Sequence, residues 1–74
     1  MDIYQTQKNI NSKRTFILFL ELLKKNYSSE QKEWENLDIP NFIEGLSGYL
    51  NDSESEDINW LLLSEALLAA RVYE

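Results

Sequence analysis

The chain has 74 residues, 43% hydrophobic and 27% charged, and a net charge of −6; that describes one small domain with no room for a second. It contains no His and no Cys, which excludes the side chain that titrates near neutrality, thiol nucleophiles, disulfides, and zinc sites built from imidazole or thiolate. Two glycines and one proline argue against a turn-rich β design and favour helices.

Residues 1–11 are polar apart from Ile3, Tyr4 and Ile10, and read as an N-terminal arm. No continuous apolar stretch opens the chain, and the longest apolar runs, Phe16 to Leu20 and Ala66 to Ala70, fall far short of the roughly 20 residues that cross a bilayer. The expected location is the cytoplasm, without membrane association. Ser12 suits an N-cap and predicts a helix over 13–27, with Phe16, Phe19, Leu20 and Leu23 on its core face. Ser28 and Gln31 have the spacing of a capping box that opens a short helix over 29–35, where Trp34 is the sole apolar residue.

Asp38 caps a third helix over 39–50, with Pro40 in the first turn, where a helix tolerates it. Ile39, Phe42, Ile43, Leu46, Tyr49 and Leu50 share one broad face, so this helix is amphipathic and lies on the core, with Phe42 and Leu46 as its core residues. Residues 51–57, NDSESED, break the pattern as a loop. The last helix spans 58–73, capped by Asp57 or Ser55. Trp60, Leu63 and Leu67 form one apolar stripe on it, and Leu61, Leu68 and Val72 a second. A helix apolar on two sides is either central in a bundle or half of an interface, and the second stripe would make a homodimer. The predicted fold is all-α: a single-domain bundle of three main helices and one short one over residues 12–74.

Charge is uneven. Residues 1–37 carry six Lys/Arg and five Asp/Glu, whereas residues 38–74 carry one Arg and eight Asp/Glu. The acidic half suits a basic protein partner, with Tyr49, Asp52, Glu54, Glu56 and Asp57 as the candidate surface; such a surface speeds encounter more than it adds affinity. The alternative is a solvated connector that keeps a small protein in solution. Nucleic acid is disfavoured because the few cations form no patch. Arg71 stands among apolar residues and needs a carboxylate, for which Glu35, beside Trp34, is the expected ion-pair partner.

No catalytic residue, metal site or cofactor is expected. Glu30-x-x-Glu33 followed by Glu54-x-x-Asp57 resembles the paired carboxylates of MazG-type nucleotide pyrophosphohydrolases, which hold Mg²⁺ against a triphosphate. In that family both pairs sit within long helices. Here one pair opens a short helix and the other lies in a loop.

The order F-I-x-F-L-x-x-L (Phe16 to Leu23), W-E-N (Trp34 to Asn36), F-I-E-x-L (Phe42 to Leu46), W-x-L-L from Trp60, and A-A-R-x-Y-E (Ala69 to Glu74) resembles an uncharacterised family of short bacterial proteins. Its label is that of a domain of unknown function, so the resemblance implies an all-helical fold and no activity or ligand. The leading expectation is a non-enzymatic protein-interaction module, in one form an immunity or antitoxin-like inhibitor. The alternatives are a self-associating structural module and a Mg²⁺-dependent nucleotide hydrolase.

Overall fold

The computed structural model describes residues 2–73. Four helices follow one another, α1 (Ile3–Lys8), α2 (Lys13–Ser29), α3 (Ile39–Asp52) and α4 (Trp60–Ala69), with one 3-10 turn at Gln31–Glu33. The fold is all-α, with no strand among the described residues.

The caps explain most of the boundaries. Ser12 Oγ accepts from the Thr15 amide while Thr15 Oγ1 accepts from the Ser12 amide, a reciprocal box that starts α2. Asp38 Oδ1 accepts from the Asn41 amide at 2.9 Å and starts α3, with Pro40 in the first turn. Two expected starts move. The Ser28 box does not form, because α2 runs on through Ser29 and the short helix reduces to one turn without a side-chain cap. The last helix starts at Trp60, because Asn59 Oδ1 takes the Leu62 amide at 2.7 Å. Its far end is Ala69, followed by a turn over 70–72.

Two long-range pairs fix the relation of α2 and α4. Phe16 meets Trp60 with ring centres 5.2 Å apart, and Asn26 meets Arg71, so the two helices run in the same direction. Tyr4 reaches Arg71 and Gln7 reaches Ser64, so α1 lies antiparallel to α4. The segment expected as an arm is therefore a helix packed on α2 and α4. Its buried stripe is Ile3, Gln7 and Ile10. The polar middle of that stripe is satisfied, since Gln7 Nε2 donates to the fully buried Ser64 Oγ, which donates in turn to the Leu61 carbonyl.

Helix α4 is central, touching α1, α2 and α3. Leu68 consequently packs in the core of its own chain, which breaks the Leu61/Leu68/Val72 stripe: Leu61 and Val72 are exposed on either side of a buried residue. Phe16, Phe19, Leu23 and Trp34 are buried, and Phe42, Leu63 and Leu67 pack half-buried against them. Leu46 is half-buried as well. Leu20, Ile39, Ile43 and Trp60, expected inside, are exposed. The reason is that α3 packs on α4 alone and never reaches α2, while Trp60 stands on the first turn of α4. The result is a flat body of 29 × 28 × 16 Å, about two helices thick.

Gly45 and Gly48 separate a packing need from tolerance. A Cβ on Gly45 would stand 2.8 Å from the Ala70 carbonyl oxygen, 2.9 Å from Asn36 Nδ2 and 3.0 Å from the Tyr73 carbonyl oxygen. Two of these are backbone atoms with no freedom to yield. On Gly48 the only close atoms belong to the Tyr73 ring, at 3.3 Å. Gly45→Ala is therefore expected to destabilise by about 1–3 kcal/mol despite its better helix propensity. Gly48→Ala is expected to stabilise by about 0.5 kcal/mol. Urea denaturation of both variants checks the opposite signs.

Candidate functional site

The segment Trp34-Glu35-Asn36 is not helical. Trp34 has extended backbone, φ −99° and ψ 130°, so successive side chains point to opposite sides. Trp34 is buried, Glu35 is exposed and Asn36 turns back inside. The inward pair grips the end of α4. Asn36 Nδ2 donates to the Ala70 carbonyl at 2.8 Å and to the Tyr73 carbonyl at 2.9 Å, while the amides of Glu35 and Asn36 both donate to the Arg71 carbonyl at 2.9 Å. These bonds satisfy carbonyls that the end of a helix leaves without partners. The W-E-N and A-A-R-x-Y segments are thus the two halves of one clasp.

Arg71 is the buried cation of that clasp, 6% exposed. Its Nε donates to the Leu68 carbonyl at 2.8 Å, Nη1 to Asn26 Oδ1 at 3.1 Å and Nη2 to the Tyr4 hydroxyl at 3.1 Å. The guanidinium carbon lies 5.5 Å from the Tyr4 ring centre and 6.0 Å from that of Trp34. Asn26 Oδ1 also accepts from Trp34 Nε1 at 2.7 Å. The carboxylate that approaches Arg71 is Glu33, at 4.0 Å, not Glu35. The extended alternation at Trp34 sends Glu35 outward. Arginine tolerates this setting because its charge is delocalised, weakly hydrated and favoured over aromatic faces.

The acidic surface divides. The Tyr73 hydroxyl donates to Asp52 Oδ2, and the Tyr49 ring meets the Tyr73 ring edge-on with centres 5.4 Å apart. Tyr49 and Asp52 are therefore engaged within the chain, whereas Glu54, Glu56 and Asp57 remain exposed in the loop that joins α3 to α4. The hydrogen bond to Asp52, and then partial desolvation, raise the Tyr73 phenol above its ordinary 10.0. A raised folded-state value means that the bond contributes fully below the unfolded phenol's pKa and is lost as pH rises through the folded one. Stability is expected to fall more steeply above about pH 10 in the native chain than in Tyr73→Phe, as read by urea denaturation at about pH 8 and about pH 11.

Glu30 precedes the 3-10 turn and Glu33 is its last residue, while Glu54 and Asp57 lie in the loop. Among the described residues no three carboxylates converge in the way a bound cation requires. Nor is any helix there long and apolar enough to cross a membrane.

An apolar groove of about 730 Å³ lies between α2 and α3. Leu20, Leu23 and Tyr27 form one wall, Ile39 and Phe42 the other, and Trp34 borders it between them. Trp34 stacks on Phe42 with centres 5.6 Å apart and takes the edge of Tyr27 at 5.1 Å. The Tyr27 hydroxyl donates to the Leu37 carbonyl at 3.0 Å, tying the end of α2 to the linker before α3. Sequence reasoning assigned none of this surface. A usable signal was present: Leu37 and Phe42 occupy the positions just before the Asp38 cap and four residues into the helix, where apolar pairs fix the chain's entry angle.

The fold and these surfaces define a small all-helical domain, locked by a buried arginine clasp and open along one apolar groove. The chain belongs to a family of unknown function (DUF7660), which matches residues 12–74. That span runs from the Ser12 cap through the whole clasp and leaves α1 outside. No curated protein and no solved structure matches the chain.

Proposed function

We propose that this protein is a non-enzymatic protein-interaction module. The observation that carries the reading is the groove between α2 and α3, with Ile39 and Ile43 exposed beside it. Exposed apolar surface gathered at one place on a small domain marks an interaction site more often than scattered hydrophobic residues do.

Charge supports a basic partner. Lys8, Lys13, Arg14, Lys24, Lys25 and Lys32 belong to α1, α2 and the 3-10 turn, and Arg71 is buried. From Glu33 onward every exposed charge among the described residues is negative. An immunity or antitoxin-like inhibitor of a cationic protein in the cytoplasm is the concrete form of this reading. Glu54, Glu56 and Asp57 would act by steering encounter.

The test is affinity capture of the tagged full chain from its native cells, beside a variant carrying Glu54→Gln, Glu56→Gln and Asp57→Asn. The reading expects a second polypeptide bound by the native chain, with association slowed severalfold in the variant and by added salt. Recovery of the chain alone, with growth unchanged by the variant, removes the basic-partner form.

A further inference from the structure

We propose that the groove between α2 and α3 is the seat of a second copy of this chain, the two copies related by a two-fold axis. This rests on the reading of the protein as an interaction module and names what covers its apolar face.

The accessible surface is 5332 Å², whereas a monomeric globule of 8.7 kDa exposes about 4,700 Å². The excess of about 600 Å² approaches the roughly 800 Å² that each partner buries in a standard stable interface.

Ile39, 73% exposed, and Ile43, 52% exposed, stand four residues apart on one face of α3 and form a ridge. Leu46 and Leu50 continue it. The ridge lies beside the groove in the same chain, and a two-fold contact needs that pairing, since each copy must supply both the feature that inserts and the feature that receives.

Positions 39, 40, 43, 46, 47 and 50 of α3 are Ile, Pro, Ile, Leu, Ser and Leu, so the ridge is uncharged, as the centre of a protein interface generally is. The acids of α3 face elsewhere. Glu44 borders a separate depression with Gly45 and Tyr73, and Asp52 is bound to Tyr73. The groove rim carries one charge of each sign, Lys24 and Asp38. Two chains of net charge −6 therefore meet on their neutral faces and turn their acidic faces outward.

Sedimentation equilibrium of the full chain, from micromolar to several hundred micromolar, tests this. The expected result is a reversible monomer–dimer equilibrium that added salt tightens, because screening relieves the remaining repulsion. Ile43→Glu is expected to weaken it at least about thirtyfold. Ile39→Glu is expected to do the same at the first position of α3, where an acid suits the helix dipole and folding is preserved. Leu18→Glu, exposed on α2 but outside the groove, should leave the dimer intact. Circular dichroism confirms that each variant is folded.

A strict monomer at the highest concentration overturns the proposal, as does a dimer indifferent to both Ile39→Glu and Ile43→Glu. A photo-crosslinking residue at position 43 in native cells then separates the two readings. An adduct with the mass of two chains supports the dimer. An adduct with a different protein removes the dimer and keeps the interaction module, and a monomer that yields no adduct at all removes both.

Discussion

Replacing Trp34 with alanine is expected to lower the unfolding free energy by about 3–5 kcal/mol. A chain of this length has a total of roughly 4–11 kcal/mol to lose, so the variant should be largely unfolded near physiological temperature. The size of the effect follows from how many elements converge on one side chain. Trp34 stacks on Phe42 of α3, takes the edge of Tyr27 of α2, donates to Asn26 and lies beneath the Arg71 guanidinium. Its loss separates α3 from α2 where no backbone contact joins them. Trp34→Phe keeps the ring stacking and gives up the indole N–H, and is expected to cost about 1–2 kcal/mol. Urea unfolding followed by circular dichroism ranks the three proteins, and an alanine variant within 1 kcal/mol of the native chain, on the order of a single hydrogen bond, would contradict this account.

The second large effect is at Arg71. Arg71→Ala is expected to cost about 2–4 kcal/mol, through the lost hydrogen bonds of a charged group and the void left beneath Tyr4. The cost stays below that of breaking a buried ion pair, because Glu33 is exposed and no charge is stranded inside. Arg71→Lys should recover little, since an ammonium on a flexible stem does not reproduce a fork that meets Leu68, Asn26 and Tyr4 at once. A double-mutant cycle locates the partner. Glu35→Gln is expected to show coupling to Arg71 below about 0.3 kcal/mol, and Glu33→Gln a coupling between that and about 1 kcal/mol.

The helices whose apolar residues recur at helical spacing were legible in the sequence, and so were the caps at Ser12 and Asp38, which act on backbone only three residues away. What escaped depends on distance along the chain. Gln7 and Ser64 read as surface residues in isolation, and their mutual hydrogen bond, at a sequence separation of 57, joins the burial of Ile3 and Ile10 in making α1 part of the core. Leu68 looked like half of a dimer stripe because periodicity shows that a helix is apolar on two sides without showing whether its own chain covers both. Arg71 was expected to need a carboxylate, whereas its hydrogen bonds go to the neutral oxygens of Leu68, Asn26 and Tyr4. The choice of Glu35 failed because a short extended stretch reverses the direction of alternate side chains, whereas a helix over 29–35 would not. The Tyr49 and Asp52 surface was likewise taken up by Tyr73, from a turn that reads as helix in the sequence. The groove is a gap between two helices that do not touch, and no local pattern marks a gap.

The clasp also sets an order of events during synthesis. Asn36 closes on the carbonyls of Ala70 and Tyr73, 34 and 37 residues further along, and Asn26 waits for Arg71 across 45. At about 5–20 residues per second of translation, Trp34 and its neighbours are synthesised roughly 2–7 s before the segment that covers them exists. Helices form in microseconds, so α2 is made long before it is packed, and its apolar side meets the cellular milieu in the interval. Folding of this domain is therefore completed only when the residues around Arg71 are free to swing back onto Trp34. Nascent chains arrested before Arg71 should be bound by chaperones as unfinished protein, however short the stretch still missing.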